Sequence, residues 1–142
     1  MTSRFATSRP LSGRPVAVAF DVLVWTVQVL VATYFVYSAS LLFGGDLVGK
    51  FDEIGFGQWL RHLTGTLELA GAVGLVIPFL SGLAALGLAG VMAGAVATEL
   101  FLLVDGDASL PALLGGLTLV VAVARRHTMR TALTRLRVRL RP

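Results

Sequence analysis

Residues 58–80 (QWLRHLTGTLELAGAVGLVIPFL) form an apolar stretch that is long enough to cross a bilayer, yet it contains three ionisable residues, Arg61, His62 and Glu68. Moving an ionised carboxylate into hydrocarbon costs on the order of 2.5–3.5 kcal/mol, even on lenient insertion scales. The small residues around Glu68 allow neighbouring helices to come close enough to shield it. The stretch therefore predicts a helix that lines the polar interior of a small membrane bundle.

The composition places the whole chain in the same class. Of its 142 residues, 56% are hydrophobic and 14% are charged, and the mean hydropathy is +0.82. A soluble domain is about 45–50% apolar and about 25% charged, so these values are typical of an integral membrane protein. Because the sequence has no cysteine, disulfides, thiolate metal sites and thiol redox chemistry are excluded.

Four apolar segments predict an all-α fold, a membrane four-helix bundle, within residues 16–124. The expected spans are 16–43, 58–80, 82–104 and 110–124. About 20 apolar residues cross the hydrocarbon, so the last span is adequate only with little tilt. In the third span, small residues recur at spacing four, at Ala85, Ala89, Ala93 and Ala97, beside the pair Gly90 and Gly94. This ridge predicts one face in very close contact with a neighbouring helix.

Arginines at both ends of the chain predict its orientation. Residues 1–15 contain three and residues 125–142 contain seven, whereas the connections at 44–57 and 105–109 are acidic overall. By the positive-inside rule, both termini of this multi-pass protein face the cytoplasm, in the cell (inner) membrane. We expect a flexible cytoplasmic tail at the N-terminus and a basic amphipathic C-terminal helix that binds anionic lipid. Nucleic acid is not an expected partner, because no aromatic residue is interleaved among these arginines.

Four candidate catalytic residues are expected inside the bundle or near its outer edge: Arg61, His62, Glu68 and Glu99. Helix rise places Glu68 midway through the membrane and Glu99 at the level of His62. We expect a polar cavity open to the external side, in which Glu68 donates or accepts a proton. Arg61 or His62 would bind a carbonyl or hydroxyl group of a lipophilic substrate or quinone. The alternative is that Arg61 pairs with Glu99, Asp105 or another loop acid and only joins the helices.

The residues expected to line the ligand pocket are Gln28, Thr64, Gly65 and Gly71. Gln28 lies near the middle of the first span, and an interhelical hydrogen bond is its alternative role. Asp21, seven residues earlier, is expected to meet headgroups or arginines. No metal site is predicted, because His62 has no second histidine nearby and His127 lies in the C-terminal tail.

The residues also resemble a known family. The motif G-x-x-E-L-A-G-A at residues 65–72, followed by SGLAALGLAGVMAGAVATEL and a last span ending in ARR, is similar to the DoxX-like family of small bacterial four-helix membrane proteins. The resemblance covers roughly residues 34–126. In relatives a histidine often stands near the position that Glu99 occupies here. The family's founding members are linked to a quinone-reducing membrane oxidoreductase, and others are membrane partners of redox or sulfur enzymes.

These observations leave several functions open. The leading hypothesis, which the resemblance implies, is a membrane protein with an internal polar pocket that acts in or beside quinone-linked redox chemistry, with a redox partner protein. A second is a membrane enzyme that uses Glu68 for acid–base isomerisation, cyclisation or hydrolysis of a lipophilic substrate. A third is a structural or assembly subunit. A fourth, a permeation protein, would require a homo-oligomer. The bilayer is a partner in every case, and no resident cofactor beyond a quinone is suggested.

Overall fold

The computed structural model describes residues 14–103 and 105–127, and within these ranges the predicted all-α fold class is confirmed. The described chain has five helices and no strand: α1 (Arg14–Phe43), α2 (Val48–Ile54), α3 (Gln58–Val76), α4 (Ser81–Phe101) and α5 (Ser109–Ala124). Most of the predicted N-terminal tail, and the predicted amphipathic helix beyond residue 127, lie outside the described residues.

The turn between α3 and α4 begins earlier than the sequence predicts. α3 ends at Val76 rather than at residue 80, because Ile77 adopts an extended conformation with φ −90° and ψ 113°. A residue that precedes proline is sterically pushed out of the helical region, and Pro78 follows here. The Ser81 hydroxyl then donates a hydrogen bond to the Pro78 carbonyl over 3.0 Å, which joins the turn to the first residue of α4.

The first connection contains the short helix α2, which packs on α3. It ends at Gly55, whose φ of 81° lies in the left-handed region and whose N–H bonds to the Asp52 carbonyl. Glycine reaches this conformation without a Cβ penalty, so it ends the helix cheaply. Phe51 and Ile54 are the buried residues of α2 and pack against Leu42 at the end of α1.

The four longer helices contact one another in cyclic order, with α1 on α3, α3 on α4, α4 on α5 and α5 on α1. Each of them contributes to one apolar core. The buried core residues are Val31, Ala32, Phe35, Ala72, Leu75, Ala85, Leu88, Met92, Leu114, Val121 and Ala122. Small residues in this set bring the helix axes together, which is how helices associate where lipid removes the hydrophobic driving force.

The outer surface of the helices is apolar. In the part of the chain that the structure describes, two helical segments, Pro15–Phe43 and Ser81–Phe101, are long and apolar enough to cross a membrane, and Ser109–Ala124 is a shorter apolar helix. Only 22% and 17% of the most apolar windows of the two long segments are buried. A core helix of a soluble protein would be mostly buried, so these exposed apolar surfaces, together with their length, indicate a membrane location.

The predicted ridge of small residues on α4 is not a continuous contact face. Ala85 is fully buried, but Ala93 and Ala97 are exposed. A Cβ added at Gly90 or Gly94 would meet nothing within 4 Å. Residues at spacing four drift around the helix by about 40° per step, so a ridge of this kind turns away from a straight contact within three steps. That part of the prediction is wrong.

The closest approach of α3 and α4 instead uses glycines of α3. A Cβ added at Gly74 would lie 2.7 Å from Ala84 Cβ, and one added at Gly71 would lie 2.5 Å from the Leu88 side chain. Ala84 has no rotatable side chain that could move away, so space at Gly74 exists only if the helices separate.

We expect Gly74→Ala to lower the free energy of unfolding by about 1–3 kcal/mol, the usual cost of overpacking a helix contact. The matched control is Gly90→Ala, which adds the same methyl group to α4 in open space and should be neutral or stabilising, because alanine favours the helix. Thermal or denaturant unfolding in detergent measures both. Equal stability of the two variants would contradict the proposed tight contact.

Candidate functional site

A cavity of about 340 Å³ lies between α1, α2, α3 and α4. Its walls are mostly apolar. The lining residues are Ser38, Leu42, Leu47, Lys50, Phe51, Ile54, Leu60, Leu63, Thr64, Leu67, Glu68, Val91, Gly94, Ala95, Thr98 and Glu99. We call this space the large cavity. Its volume is at the lower end of the range for small-molecule sites, about 300–1,000 Å³.

Glu68 lies in the wall of the large cavity and is only 4% exposed. Its Oε2 atom is buried and has no hydrogen-bond partner among the described residues. Thr64, one helical turn earlier on the same face of α3, also lines the cavity. A buried polar oxygen without a partner costs about 1–3 kcal/mol, so this oxygen is ready to bind a water molecule or a ligand group.

A smaller cavity of about 130 Å³ lies on another side of the same carboxyl group. Its lining residues are Tyr34, Ser38, Glu68, Met92, Ala95, Glu99, Leu110, Pro111 and Leu114. Tyr34 and Ser38 are four residues apart on α1, so both side chains lie on one face of that helix, and both line this cavity together with Glu68. Glu68 therefore lies between the two cavities.

Glu99 in the last turn of α4 joins three parts of the site. Its Oε1 forms an ion pair with Lys50 of α2, and its Oε2 accepts a hydrogen bond from the Asp107 N–H over 3.1 Å. Glu99 lines the large cavity, the smaller cavity and a third, polar cavity at the surface next to Asp105 and Asp107. The ion pair holds α2 across the end of the large cavity.

Within the described residues Arg61 forms no ion pair with an acid, so the alternative in which it pairs with Glu99, Asp105 or another loop acid does not hold there. Its guanidinium donates hydrogen bonds to the carbonyl oxygens of Leu42 and Gly44, and its Nε donates to Gln58 Oε1 over 2.8 Å. Carbonyl groups at a helix C-terminus lack helical partners and carry partial negative charge. Arg61 therefore caps α1, and it does not line the large cavity.

Gln58 extends this cap to α2. Its Nε2 donates to Asp52 Oδ1 over 2.6 Å and to the Val48 carbonyl over 3.2 Å. Since Arg61 binds the oxygen of the same amide, one guanidinium and one amide group connect the end of α1, the helix α2 and the start of α3. This network fixes the position of α2 at the large cavity.

The remaining predicted site residues separate into two groups. Thr64 lines the large cavity together with Glu68 and Glu99. His62 is exposed, with its ring stacked on Phe43 at a centroid distance of 6.0 Å, and it does not line the cavity. Gly65 and Gly71 do not line it either. They are helix contacts, since an added Cβ would lie 3.2 Å from Leu42 and 2.5 Å from Leu88 respectively.

Gln28 lies away from the large cavity, in a polar network at the opposite end of the helices. It is fully buried, and its Nε2 donates to the Leu75 carbonyl over 2.8 Å. Its Oε1 accepts a hydrogen bond from Arg125 Nε over 2.8 Å. Arg125 also pairs with Asp21 over 2.6 Å and lies 5.6 Å from the centroid of the Trp25 ring. Gln28 has the interhelical role that was the alternative to a ligand contact.

Sequence reasoning did not assign Tyr34, Ser38 and Lys50 to the site. The spacing of Tyr34 and Ser38 on α1 was a usable signal, because hydroxyls four residues apart mark one polar face. Lys50 gave no such signal, since a lysine in an external connection is ordinary. Within the described part of the chain, no group of three or more histidine, aspartate and glutamate side chains is arranged to hold a metal ion.

The loop that follows α4 is fixed by local hydrogen bonds. Asp107 Oδ1 accepts a hydrogen bond from the Ser109 N–H over 2.9 Å, and hydrogen bonds from the Ser109 side chain and backbone lower the pKa of the Asp107 carboxyl below its usual value. A lowered pKa means that this contact stabilises the loop above the unfolded-state pKa and is lost as the pH falls through the folded-state pKa. This one contact is therefore weakened in acid.

Comparison with known proteins gives one match. The model of a family described as the DoxX-like family matches residues 26–124. No curated protein and no solved structure matches the chain.

We expect Gln28→Leu to lower the free energy of unfolding by about 1–3 kcal/mol, because the Leu75 carbonyl loses its side-chain donor and Arg125 loses an acceptor. Thr26→Val on the same helix is the control, since the exposed Thr26 hydroxyl bonds only to the Val22 carbonyl of its own helix. Unfolding in detergent measures both. If the Gln28→Leu protein is as stable as the control, the hydrogen bonds of Gln28 do not stabilise the helix packing.

Proposed function

The chain belongs to the DoxX-like family, and from this premise we propose that it is a multi-pass membrane protein that binds one lipophilic small molecule next to Glu68. The observation that supports the proposal is the buried Glu68 Oε2, which has no hydrogen-bond partner in the described residues and lies at a cavity of about 340 Å³. In native structures such an atom is usually explained by a bound ligand, an ordered water or a catalytic role. An intramembrane carboxylate is likewise costly unless it is used.

The ligand class follows from the lining of the large cavity. Leu42, Leu63, Phe51 and Val91 provide apolar contact, and the Glu68 carboxyl provides the hydrogen bond at depth. Such a site fits a compact apolar body with one hydroxyl or carbonyl group. A cavity of about 340 Å³ holds a ring system and not a long acyl or isoprenoid chain, so a tail would extend between the helices into lipid.

A quinone-linked role agrees with this ligand class. A protonated carboxyl group donates a hydrogen bond to a quinone carbonyl, and an ionised one accepts a hydrogen bond from a quinol hydroxyl. Glu68 could therefore bind either form and exchange the accompanying proton. Since the sequence contains no cysteine, thiol chemistry is not available to move the electrons, and we propose that a redox partner protein transfers them at this membrane site.

Acid–base catalysis on a lipophilic substrate is the second candidate. It is favoured by one observation: two carboxyl groups, those of Glu68 and Glu99, line the same large cavity. A pair of carboxyls in different surroundings is the usual arrangement for a general acid and a general base. Turnover by the isolated protein without an electron acceptor would select this function over the redox role.

The proposed membrane arrangement has four spans, α1, α3, α4 and α5, with both termini in the cytoplasm. The arginines at the chain ends and the acidic residues of the two connections support it. In this arrangement Lys50, Glu99 and Asp107 lie at the external side, and the ion pair of Arg125 with Asp21 lies at the cytoplasmic side.

The ligand is tested by mass spectrometry of small molecules that co-purify with the protein. We expect the wild type to retain one lipophilic compound and Glu68→Leu to retain at least about tenfold less, since a hydrogen bond to a charged group is worth about 1.5–3 kcal/mol. Leucine has a comparable size and removes a buried polar group, so the variant should fold. Glu53→Leu, which removes an exposed carboxylate of α2, is the control. Equal retention by all three proteins, or none by the wild type, would contradict the site.

The absence of cysteine from the sequence makes the orientation easy to test. We expect a membrane-impermeant maleimide to label an Asp46→Cys protein in intact spheroplasts, and to label an Arg126→Cys protein only after permeabilisation. Both positions are exposed, so access and not burial decides the labelling. Labelling of the Arg126→Cys protein in intact spheroplasts would contradict the proposed topology.

A further inference from the structure

Three cavities meet at Glu99. This residue lines the large cavity, the smaller cavity beside Tyr34, and the polar surface cavity next to Asp105 and Asp107. Glu68 lines the first two. The smaller cavity therefore lies between a carboxyl group at the outer end of α4 and the buried carboxyl group on α3. It provides a second route to Glu68 beside the proposed ligand site, with which it shares four lining residues, Ser38, Glu68, Ala95 and Glu99.

The smaller cavity suits water. Its volume is about 130 Å³, and one water molecule takes up about 30 Å³ in the liquid, so a few water molecules fit. Four polar side chains line it, Tyr34, Ser38, Glu68 and Glu99, and a buried water needs two to four polar partners. The large cavity has mostly apolar walls over a greater volume, which suits a lipophilic molecule better than a chain of waters.

From this arrangement we infer that Glu68 exchanges its proton with the external side through the smaller cavity, by way of Glu99, water in that cavity and the hydroxyls of Tyr34 and Ser38. The inference rests on the proposed function and topology, and it adds the side of the membrane with which the ligand site exchanges protons. Chains of carboxyls and hydroxyls inside membrane bundles are the usual form of a proton relay.

The proton balance of the route is simple. On uptake, hydronium at the external surface protonates the Glu99 carboxylate. Glu99 passes a proton to a water in the smaller cavity, and the excess proton moves by way of water and the Tyr34 and Ser38 hydroxyls to the Glu68 carboxylate, whose Oε2 has no protein partner in the described chain. Release follows the same steps in reverse. One proton moves in each case, no bond to carbon forms or breaks, and no electron is transferred.

The charged groups around the entrance can support this role. Lys50 of α2 forms an ion pair with one oxygen of Glu99. The Asp107 N–H donates to the other oxygen of Glu99, and Glu53 and Asp105 line the same surface cavity. From α5, the side chains that line the smaller cavity, Leu110, Pro111 and Leu114, are not titratable. The acidic rim raises the local concentration of protons at the entrance.

The route is tested by the hydrogen–deuterium exchange of the Glu68 carboxyl group in ligand-free protein. Infrared spectroscopy detects the protonated carboxyl band, and the band is assigned by its loss in Glu68→Gln. After transfer to D₂O at the pH where the band is half-maximal, we expect Tyr34→Phe and Glu99→Gln to slow exchange at least about tenfold, because each removes a proton-transfer group.

Two further variants separate this route from its alternatives. Lys50→Gln breaks the same ion pair as Glu99→Gln but keeps the carboxyl group, so its exchange rate should stay within about twofold of the wild type. Thr64→Val alters only the large cavity and should have no effect either. Slow exchange in Thr64→Val, unchanged exchange in Tyr34→Phe and Glu99→Gln, or no band assignable to Glu68 over the pH range of the folded protein would overturn the inference.

This experiment is independent of ligand binding. If the Tyr34→Phe protein retains the lipophilic compound and its exchange rate is unchanged, the proposed proton route is contradicted and the proposed binding site is supported. If the variants slow exchange but the wild-type protein retains no ligand, the proposed binding site is contradicted and the proposed proton route is supported. The wild-type protein and the variants are all used as full-length chains. The Tyr34→Phe substitution preserves the aromatic ring, which packs edge-on to Phe35 with a centroid distance of 6.1 Å.

Discussion

A carboxyl group buried among apolar helices constrains the rest of this structure. Glu68 is 4% exposed and one of its oxygens lacks a partner in the described chain, so every neighbouring element must either keep lipid away from it or leave polar space beside it. α1 offers two hydroxyls, at Tyr34 and Ser38, and α3 and α4 approach closely at Gly74. The helices are packed tightly at one level and left open at the level of the carboxyl.

Polar networks at the two ends of the helices hold the helices in place around the cavities beside Glu68. At one end Arg61 and Gln58 connect the end of α1 to α2 and α3. At the other, Gln28 binds a carbonyl of α3 and Arg125, which follows α5. Fully bonded polar groups in a low-dielectric interior rigidify their surroundings. The space beside Glu68 therefore does not depend on contacts between the residues that line it.

The two cavities beside Glu68 differ in size and polarity. The large one is apolar enough for a lipophilic molecule, and the smaller one has the size and polar groups for water. Under the proposed function, a proton that leaves or reaches the ligand site would then travel through the smaller cavity. This separation suits quinone-linked chemistry and acid–base chemistry equally, since both need a proton at the ligand and a lipophilic surface around it.

The sequence by itself determined the helical class, the membrane location and the family, because these depend on composition, on runs of apolar residues and on a motif within one helix. It also selected Glu68, Thr64 and Glu99, since a carboxylate or hydroxyl in an apolar run stands out against its neighbours. Only the tertiary structure assigned Arg61 and Gln28 to structural joints and paired Lys50 with Glu99. A side chain's partner depends on which helices meet and at what height, and the turn at Pro78 and the glycine contacts of α3 set both. Periodicity along one helix contains no information about either.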